Sequence, residues 1–182
     1  MNLTEKQINA EYIFKGKIIN LRRDNALLPD GNIAIREVVE HKGGVCVVPI
    51  TDNNEIVFVR QFRYPYMEEV LEVPAGKRDS QEENPLDCGI RELKEETGTT
   101  AHKILSLGEL YPTPGYCDEI IWMYAATGLT FGEQKLDSDE FLNLEIIPLD
   151  TAVKMIINGE IKDAKTQTAV LKVKYLIDNN KL

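Results

Sequence analysis

Residues Gly76–Gly98 read GKRDSQEENPLDCGIRELKEETG, and this stretch decides the interpretation of the fold. Asn84 is a favourable N-cap, Pro85 suits the first helical position, and the final glycine is a good helix stop. We therefore predict a helix over residues 85–97. Leu86, Ile90, Leu93 and Thr97 fall within one narrow stripe of that helix at about 100° per residue, and we expect this stripe to face the core.

Three glutamates, Glu92, Glu95 and Glu96, gather over one turn of the predicted helix. Glu92 and Glu96 share a face because they are four residues apart, and like charges at that spacing repel. Carboxylates near a helix C-terminus cost up to about 1 kcal/mol. A divalent cation would remove this conflict, because magnesium takes oxygen ligands. The alternative is a solvated charged face, which is the usual role of a charge run, and the helix alone leaves both interpretations open.

The residues around these glutamates form a more specific pattern. Ala75-Gly76 is followed by Glu83 and then by RELKEETG at residues 91–98. In these residues the chain resembles the Nudix hydrolases, whose box contains a Gly, a Glu, Arg-Glu, an apolar residue, Glu-Glu and a final Gly.

The chain departs from the family pattern at two places. Six residues separate Gly76 from Glu83 where the family usually has five, and Thr99 occupies a position that is usually apolar. We place the extra residue in the loop 77–82, because the cost of closing a loop grows slowly with its length. The helix register is then unchanged.

The resemblance implies roles for the residues of the box. Glu92 and Glu96 are the implied principal metal ligands, and the backbone carbonyl of Ala75 is a further oxygen donor. Glu95 is implied as an auxiliary ligand with a catalytic role. Arg91 would support catalysis by orienting a neighbouring carboxylate. The implied cofactor is Mg²⁺, for which Mn²⁺ could substitute.

Two segments outside the box resemble the ADP-ribose pyrophosphatases. In that subfamily an arginine at the position of Arg63, within VRQFRY at 59–64, contacts the substrate phosphates, and Arg60 is a second candidate. The alternative for an exposed arginine at a strand end is simple solvation. Pro114 lies sixteen residues after Gly98, as the corresponding proline of the subfamily does, although Pro-Gly is also an ordinary turn.

The same subfamily uses a carboxylate from a later loop, either as a metal ligand or as the base that activates water. Glu140 is our first choice for both roles and Asp139 is the second. A solvated acidic loop is the stronger interpretation for Asp137. Glu119 is a further candidate, which we place among the substrate-binding residues.

The rest of the chain shows strand patterns, followed by two helices at its C-terminal end. Strands are predicted within residues 12–26, 33–39, 45–50, 56–60, 70–73, 104–111 and 119–126, and helices at 149–158 and 164–177. We predict an α/β fold: a Nudix-type α/β/α sandwich with a mixed sheet, plus a small N-terminal antiparallel β region. The predicted domains are 1–42, the strand region that the resemblance implies for dimerisation, and 43–182, the Nudix hydrolase domain.

Composition excludes several classes of protein. The chain has 182 residues, 43% hydrophobic and 28% charged, which is ordinary for one globular domain. Its net charge of −9 argues against a nucleic-acid partner, because such partners require clustered Lys and Arg. Three widely spaced cysteines and two histidines predict neither a disulfide framework nor a zinc site. We expect a cytoplasmic protein with no membrane segment.

Taken with the resemblance, these residues predict a Mg²⁺-dependent hydrolase that cuts ADP-ribose into AMP and ribose 5-phosphate. A nucleotide-sugar pyrophosphatase acting on GDP-mannose, or a broad nucleoside diphosphate hydrolase, is the first alternative. A nucleotide-binding Nudix sensor domain without catalysis is the alternative of another class. A homodimer is expected from the resemblance alone.

Overall fold

The computed structural model describes residues 2–138 and 140–182, and these residues form ten strands and three helices. The strands are β1 (Lys6–Lys15), β2 (Asn20–Leu27), β3 (Ile33–Glu40), β4 (Gly44–Pro49), β5 (Glu55–Arg63), β6 (Glu68–Glu72), β7 (Ala75–Lys77), β8 (Thr100–Leu110), β9 (Ile121–Thr130) and β10 (Leu142–Pro148). The helices are α1 (Pro85–Thr97), α2 (Leu149–Ile157) and α3 (Ala164–Asp178).

The central sheet has the order β7-β4-β9-β8. Strands β4 and β9 run parallel, whereas β7 pairs with β4 and β8 pairs with β9 in the antiparallel sense. The predicted mixed sheet is therefore confirmed. A second sheet, β10-β5-β6, is antiparallel throughout.

Alternating side chains of β4 place helices on both faces of the central sheet. Val45 and Val47 belong to one buried cluster with Leu93 of α1. Cys46 and Val48 point the other way, as successive strand residues do, and join a second cluster with residues of α2 and α3. Helices on both faces of one sheet confirm the predicted α/β/α sandwich.

The chain divides into two compact units. One contains the residues up to Gly43 together with Tyr111–Ile120, and the other contains Gly44–Leu110 and Ile121–Leu182. Within the first unit, β1, β2 and β3 form the predicted antiparallel region, and the segment after β8 pairs with β3 through the Val39–Cys117 bridge. The assignment of this region to dimerisation stays a prediction.

The predicted and observed bounds agree best for the helix whose ends are marked by capping residues. Helix α1 has the predicted bounds: the Asn84 side chain accepts a hydrogen bond from the Leu86 N–H at 2.8 Å, and Gly98 adopts φ 68°. Strands β7 and β10 were not predicted, and β1 begins well before the predicted strand. No helix of the described residues is long and apolar enough to cross a membrane.

Candidate active site

Helix α1 presents a different face to the core from the one predicted. Leu86 and Ile90 are exposed, so the predicted apolar stripe is wrong at these two positions. The buried residues of the helix are Cys88, Gly89, Glu92, Leu93, Glu96 and Thr97. This rotation turns two of the three predicted metal-site glutamates inward.

Gly76 in β7 makes room for the carboxyl group of Glu92. A Cβ atom on Gly76 would overlap that carboxyl group, so any other residue here would displace the Glu92 side chain. Glu92 is 7% exposed, and burial raises its pKa to about 6 even though the adjacent Arg91 guanidinium opposes the shift. The Glu92 carboxyl group of α1 therefore occupies the space that the missing side chain of Gly76 leaves in β7.

Glu96 lies one helical turn further on and is 3% exposed. Its Oε2 atom accepts a hydrogen bond from the backbone N–H of Ala75 at 2.9 Å. Burial raises the pKa of Glu96 to about 8, and the negative charges of Glu92 and Glu140 add to the rise. The side chain is thus a buried carboxyl group with a single backbone donor among its described hydrogen bonds.

Arg91 connects three carboxylates. Its Nη1 atom lies 2.8 Å from Glu92 Oε1 and 3.1 Å from Glu95 Oε2, and its Nη2 atom lies 3.3 Å from Glu83 Oε1. Glu95 is more exposed than Glu92, with 38% of its side chain accessible. Arg91 thus contacts Glu83, the carboxylate that it was predicted to orient, and its catalytic role stays a prediction.

Two hydrogen bonds hold Glu83 at the end of the loop before α1. The Asp79 N–H donates to Glu83 Oε2 at 2.7 Å, and the Arg78 guanidinium donates to the Glu83 carbonyl at 2.9 Å. Burial alone would raise the pKa of Glu83, but the Asp79 N–H and Arg91 outweigh it and hold the pKa low. Glu83 therefore stands ionised beside the arginine of the helix.

Glu140 acts electrostatically on the buried pair of glutamates, because its negative charge raises the pKa of both Glu92 and Glu96. The Glu140 N–H donates to the Asp137 carbonyl at 3.0 Å, and its carboxylate accepts from the Asp137 N–H at 3.2 Å. Asp139, the second choice for the loop carboxylate, lies outside the described residues.

Arg63 is held by a buried carboxylate that sequence reasoning missed. Its Nε and Nη2 atoms each lie 2.6 Å from an oxygen of Glu72, which is 1% exposed. Lys165 of α3 contacts the same carboxylate from the other side. Burial opposes ionisation of Glu72, but the two cations keep its pKa low. Arg63 also lies close enough to Glu96 to lower the pKa of that glutamate.

Arg60, unlike Arg63, pairs with a carboxylate of strand β10. Its guanidinium contacts Glu145 across strands β5 and β10. It also lines a cavity of about 360 Å³ together with Glu140 and Phe141. The prediction that Arg60 binds substrate stays a prediction.

Pro114 and Glu119 belong to the unit that contains β1, β2 and β3. Pro114 sits in a turn in which the Cys117 N–H donates to the Thr113 carbonyl at 3.1 Å. Glu119 Oε1 lies 3.1 Å from His41 Nδ1. Their roles in substrate binding remain predictions.

Comparison with known proteins identifies the family. Residues 40–168 match the NUDIX domain model, and residues 5–39 match the nucleoside diphosphate sugar hydrolase N-terminal domain. The chain belongs to the Nudix family. Nudix hydrolases generally use divalent metal ions.

Relatives of this Nudix protein carry several names. It is 42% identical to an ADP-ribose pyrophosphatase of Bacillus subtilis over 93% of this chain and 92% of that protein. It is 41% identical to a methanol dehydrogenase activator of Bacillus methanolicus over 94% and 92%. A GDP-mannose pyrophosphatase of Yersinia enterocolitica is 34% identical over 72% and 73%. A solved ADP compounds hydrolase shares the fold, with a TM-score of 0.85, 21% identity and full coverage of both chains.

The acidic side chains of this Nudix site are engaged by protein donors. Across residues 2–138 and 140–182, no three His, Cys, Asp or Glu side chains are arranged to hold a metal ion. Glu92 and Glu95 face Arg91, and Glu96 faces the Ala75 N–H. A cation would therefore have to compete with these donors for the carboxylates.

Proposed function

We propose that this Nudix protein hydrolyses the pyrophosphate bond of ADP-ribose, giving AMP and ribose 5-phosphate, with Mg²⁺ as its metal. The observation that carries the proposal is the inward-facing pair Glu92 and Glu96, two carboxyl groups buried beside β7 with raised pKa values. The Bacillus subtilis relative, named for ADP-ribose, supports the choice of substrate.

The donor chemistry of these residues suits a hard divalent cation, which would have to displace Arg91 and the Ala75 N–H from the carboxylates. Glu92, Glu96 and Glu140 offer carboxylate oxygen atoms, and the negative charge of Glu140 raises the pKa of the other two. Mg²⁺ takes oxygen ligands and leaves open positions for water and substrate phosphates. We propose Glu92 and Glu96 as the principal ligands, with Glu95 and the carbonyl of Ala75 in support. When bound, the ion would neutralise the diphosphate and lower the pKa of an attacking water.

Other side chains of the chain would complete the chemistry. Arg63, whose guanidinium edge is fixed by Glu72, would hold a diphosphate oxygen through the donors that Glu72 leaves unused. Glu140 would accept the proton of the attacking water, because it is the loop carboxylate whose charge acts on the buried pair. Arg91 would keep Glu92 and Glu95 oriented.

A substrate panel tests the proposal directly. ADP-ribose, GDP-mannose, UDP-glucose and a dinucleoside diphosphate are incubated with the protein and Mg²⁺, with a chelator as the control. We expect ADP-ribose to give the highest kcat/KM, with AMP and ribose 5-phosphate as products. No hydrolysis of any of the four would overturn the proposal.

GDP-mannose or another nucleotide sugar is the second candidate substrate. The Yersinia relative is named for GDP-mannose, and the first 39 residues contain the match to a nucleoside diphosphate sugar hydrolase region. A higher kcat/KM for GDP-mannose than for ADP-ribose would favour this candidate. Comparable values for the whole panel would instead favour a broad nucleoside diphosphate hydrolase.

A nucleotide-binding sensor without catalysis is the alternative of another class. The presence of Glu92, Glu95 and Glu96 together argues against it, because binding alone does not require a cluster of carboxylates. Calorimetric binding of ADP-ribose with no product after prolonged incubation would favour the sensor.

We also propose a homodimer formed through the N-terminal strands. Strands β1 to β3 expose a set of apolar side chains, among them Ile8, Ile13, Phe14 and Ile33. Exposed apolar surface is a feature of interaction sites, and we propose that these side chains contribute to one. Sedimentation velocity should give the mass of two chains, and the mass of one chain would contradict the dimer.

A further inference from the structure

The C-terminal turn of α1 is capped by a segment from elsewhere in the chain. The last carbonyl groups of a helix lack partners within the helix. The Gln134 side-chain amide donates to the Glu96 carbonyl at 2.6 Å, and the Lys135 N–H donates to the Glu95 carbonyl at 2.9 Å. Residues 132–135, here called the docking segment, therefore satisfy the carbonyls of two site glutamates.

Two glycines allow this close approach. Gly98 has φ 68°, and a Cβ atom there would overlap the carbonyl of Gly132. A Cβ atom on Gly132 would in turn lie 3.1 Å from the Gly98 carbonyl oxygen. The docking segment thus touches the helix end through backbone as well as through the Gln134 side chain.

The docking segment leads directly to Glu140. Lys135 lies five residues before Glu140, and Leu142, two residues after it, pairs with Gln61 in the β10–β5 ladder. Glu140 is therefore fixed on one side by a sheet and on the other side by the docking segment.

We propose that Gln134 is a positioning residue for the reaction: by docking residues 132–135 on the C-terminus of α1, it holds Glu140 beside Glu92 and Glu96. This inference rests on the proposed function. A neutral amide bond of this kind changes an equilibrium by up to about tenfold. The Gln134 amide donates to Glu96 at the C-terminus of α1, which is the negative end of the helix dipole, so the dipole favours this hydrogen bond.

The competing explanation is that Gln134 only stabilises the helix end. The substitution Gln134→Met separates the two explanations, because methionine has the same length but no donor. Glu133→Gln is the matched control, since Glu133 is an exposed neighbour in the same segment. Hydrogen exchange of residues 131–141 in the metal-free protein measures docking independently of activity.

We expect Gln134→Met to raise exchange in residues 131–141 and to lower kcat for ADP-ribose about threefold to tenfold, with KM unchanged. Glu133→Gln should leave both as they are. In a Glu140→Gln background, measured by single turnover with excess enzyme, the same Gln134→Met change should have no further effect, because the side chain that it positions is already lost.

Three results would overturn the inference: unchanged exchange, unchanged kcat, or an equal loss of rate in both backgrounds. An equal loss would assign Gln134 to stability alone. These failures differ from failure of the proposed function, which would show as no hydrolysis by the unaltered protein. If the unaltered protein hydrolyses ADP-ribose and the Gln134→Met variant has the same kcat, this inference alone is refuted.

Discussion

The backbone N–H of Ala75 donates a hydrogen bond to the Glu96 carboxylate at 2.9 Å, and this bond joins β7 to α1. The same strand supplies Gly76, against which Glu92 packs. A strand of three residues thus receives both inward-facing glutamates of the helix. Short as it is, β7 fixes where the two carboxyl groups lie.

Replacing Glu96 with glutamine should abolish most hydrolysis while the fold persists. Loss of a residue that only supports a metal ligand costs about 10- to 100-fold, so loss of a ligand should lower kcat/KM at least about 100-fold. The glutamine can still accept the Ala75 hydrogen bond. Steady-state kinetics measures the effect, and circular dichroism checks the fold. Unchanged hydrolysis in Glu96→Gln would refute the ligand assignment.

Stability of the metal-free protein should fall as the pH rises from about 4.5 to about 8. Burial raises the pKa of Glu92 to about 6 and of Glu96 to about 8, above the ordinary value of 4.5. In this range the folded state holds protons that the unfolded state has released, so a rising pH favours unfolding. Urea denaturation with a chelator measures the trend.

The variant Glu96→Gln isolates this contribution, because its side chain does not titrate. The difference in unfolding free energy between the two proteins should change across the window from about pH 4.5 to about pH 8, most steeply near its middle, in favour of the variant at the higher pH. Added Mg²⁺ should oppose the trend in the unaltered protein, since the ion binds ionised carboxylates. A difference that stays constant with pH would show that Glu96 titrates normally.

Gly76→Ala should impair the site more than the fold. The added Cβ would displace the Glu92 carboxyl group, so we expect kcat/KM to fall by at least about tenfold, as for loss of support to a metal ligand. Gly89→Ala on α1 is the control: its Cβ would meet Tyr124 and Val47 at 3.4 Å, an ordinary contact. That variant should keep its activity. Equal activity of both variants would contradict the role of Gly76.

Arg63→Lys should raise KM for ADP-ribose by about tenfold with a smaller effect on kcat, because lysine keeps the charge but loses the planar fork. Glu72 grips that fork through two parallel bonds of 2.6 Å. Substrate titration of the initial rate gives both constants. A KM equal to that of the unaltered protein would place Arg63 outside the substrate site.

Local signals in the sequence were sufficient for the bounds of α1. Asn84, Pro85 and Gly98 act within a turn of the helix ends, so their effect does not depend on the rest of the fold. The buried face was predicted correctly at Leu93 and Thr97 but wrongly at Leu86 and Ile90, which apolar spacing selects. The fold instead buries the carboxyl groups of Glu92 and Glu96, as functional sites do at the expense of local rules.

Features made by distant residues could not be predicted. Glu72 pairs with Arg63, nine residues away in the sequence, and with Lys165, 93 residues away. No local sequence pattern predicts such contacts. Gln134 reaches Glu96 over 38 residues for the same reason. The family pattern at Gly76 to Gly98 identified the candidate ligands, but only the three-dimensional structure shows the donors that hold them.

Titration of Mn²⁺ into the metal-free protein, followed by the electron paramagnetic resonance signal of the free ion, tests the metal site without requiring turnover. We predict that Glu92→Gln and Glu96→Gln each weaken Mn²⁺ binding at least about tenfold. Glu160→Gln, at an exposed position far along the chain, should bind as the unaltered protein does. Equal Mn²⁺ affinity in all four proteins, or no binding by any of them, would contradict a metal site at the buried glutamates.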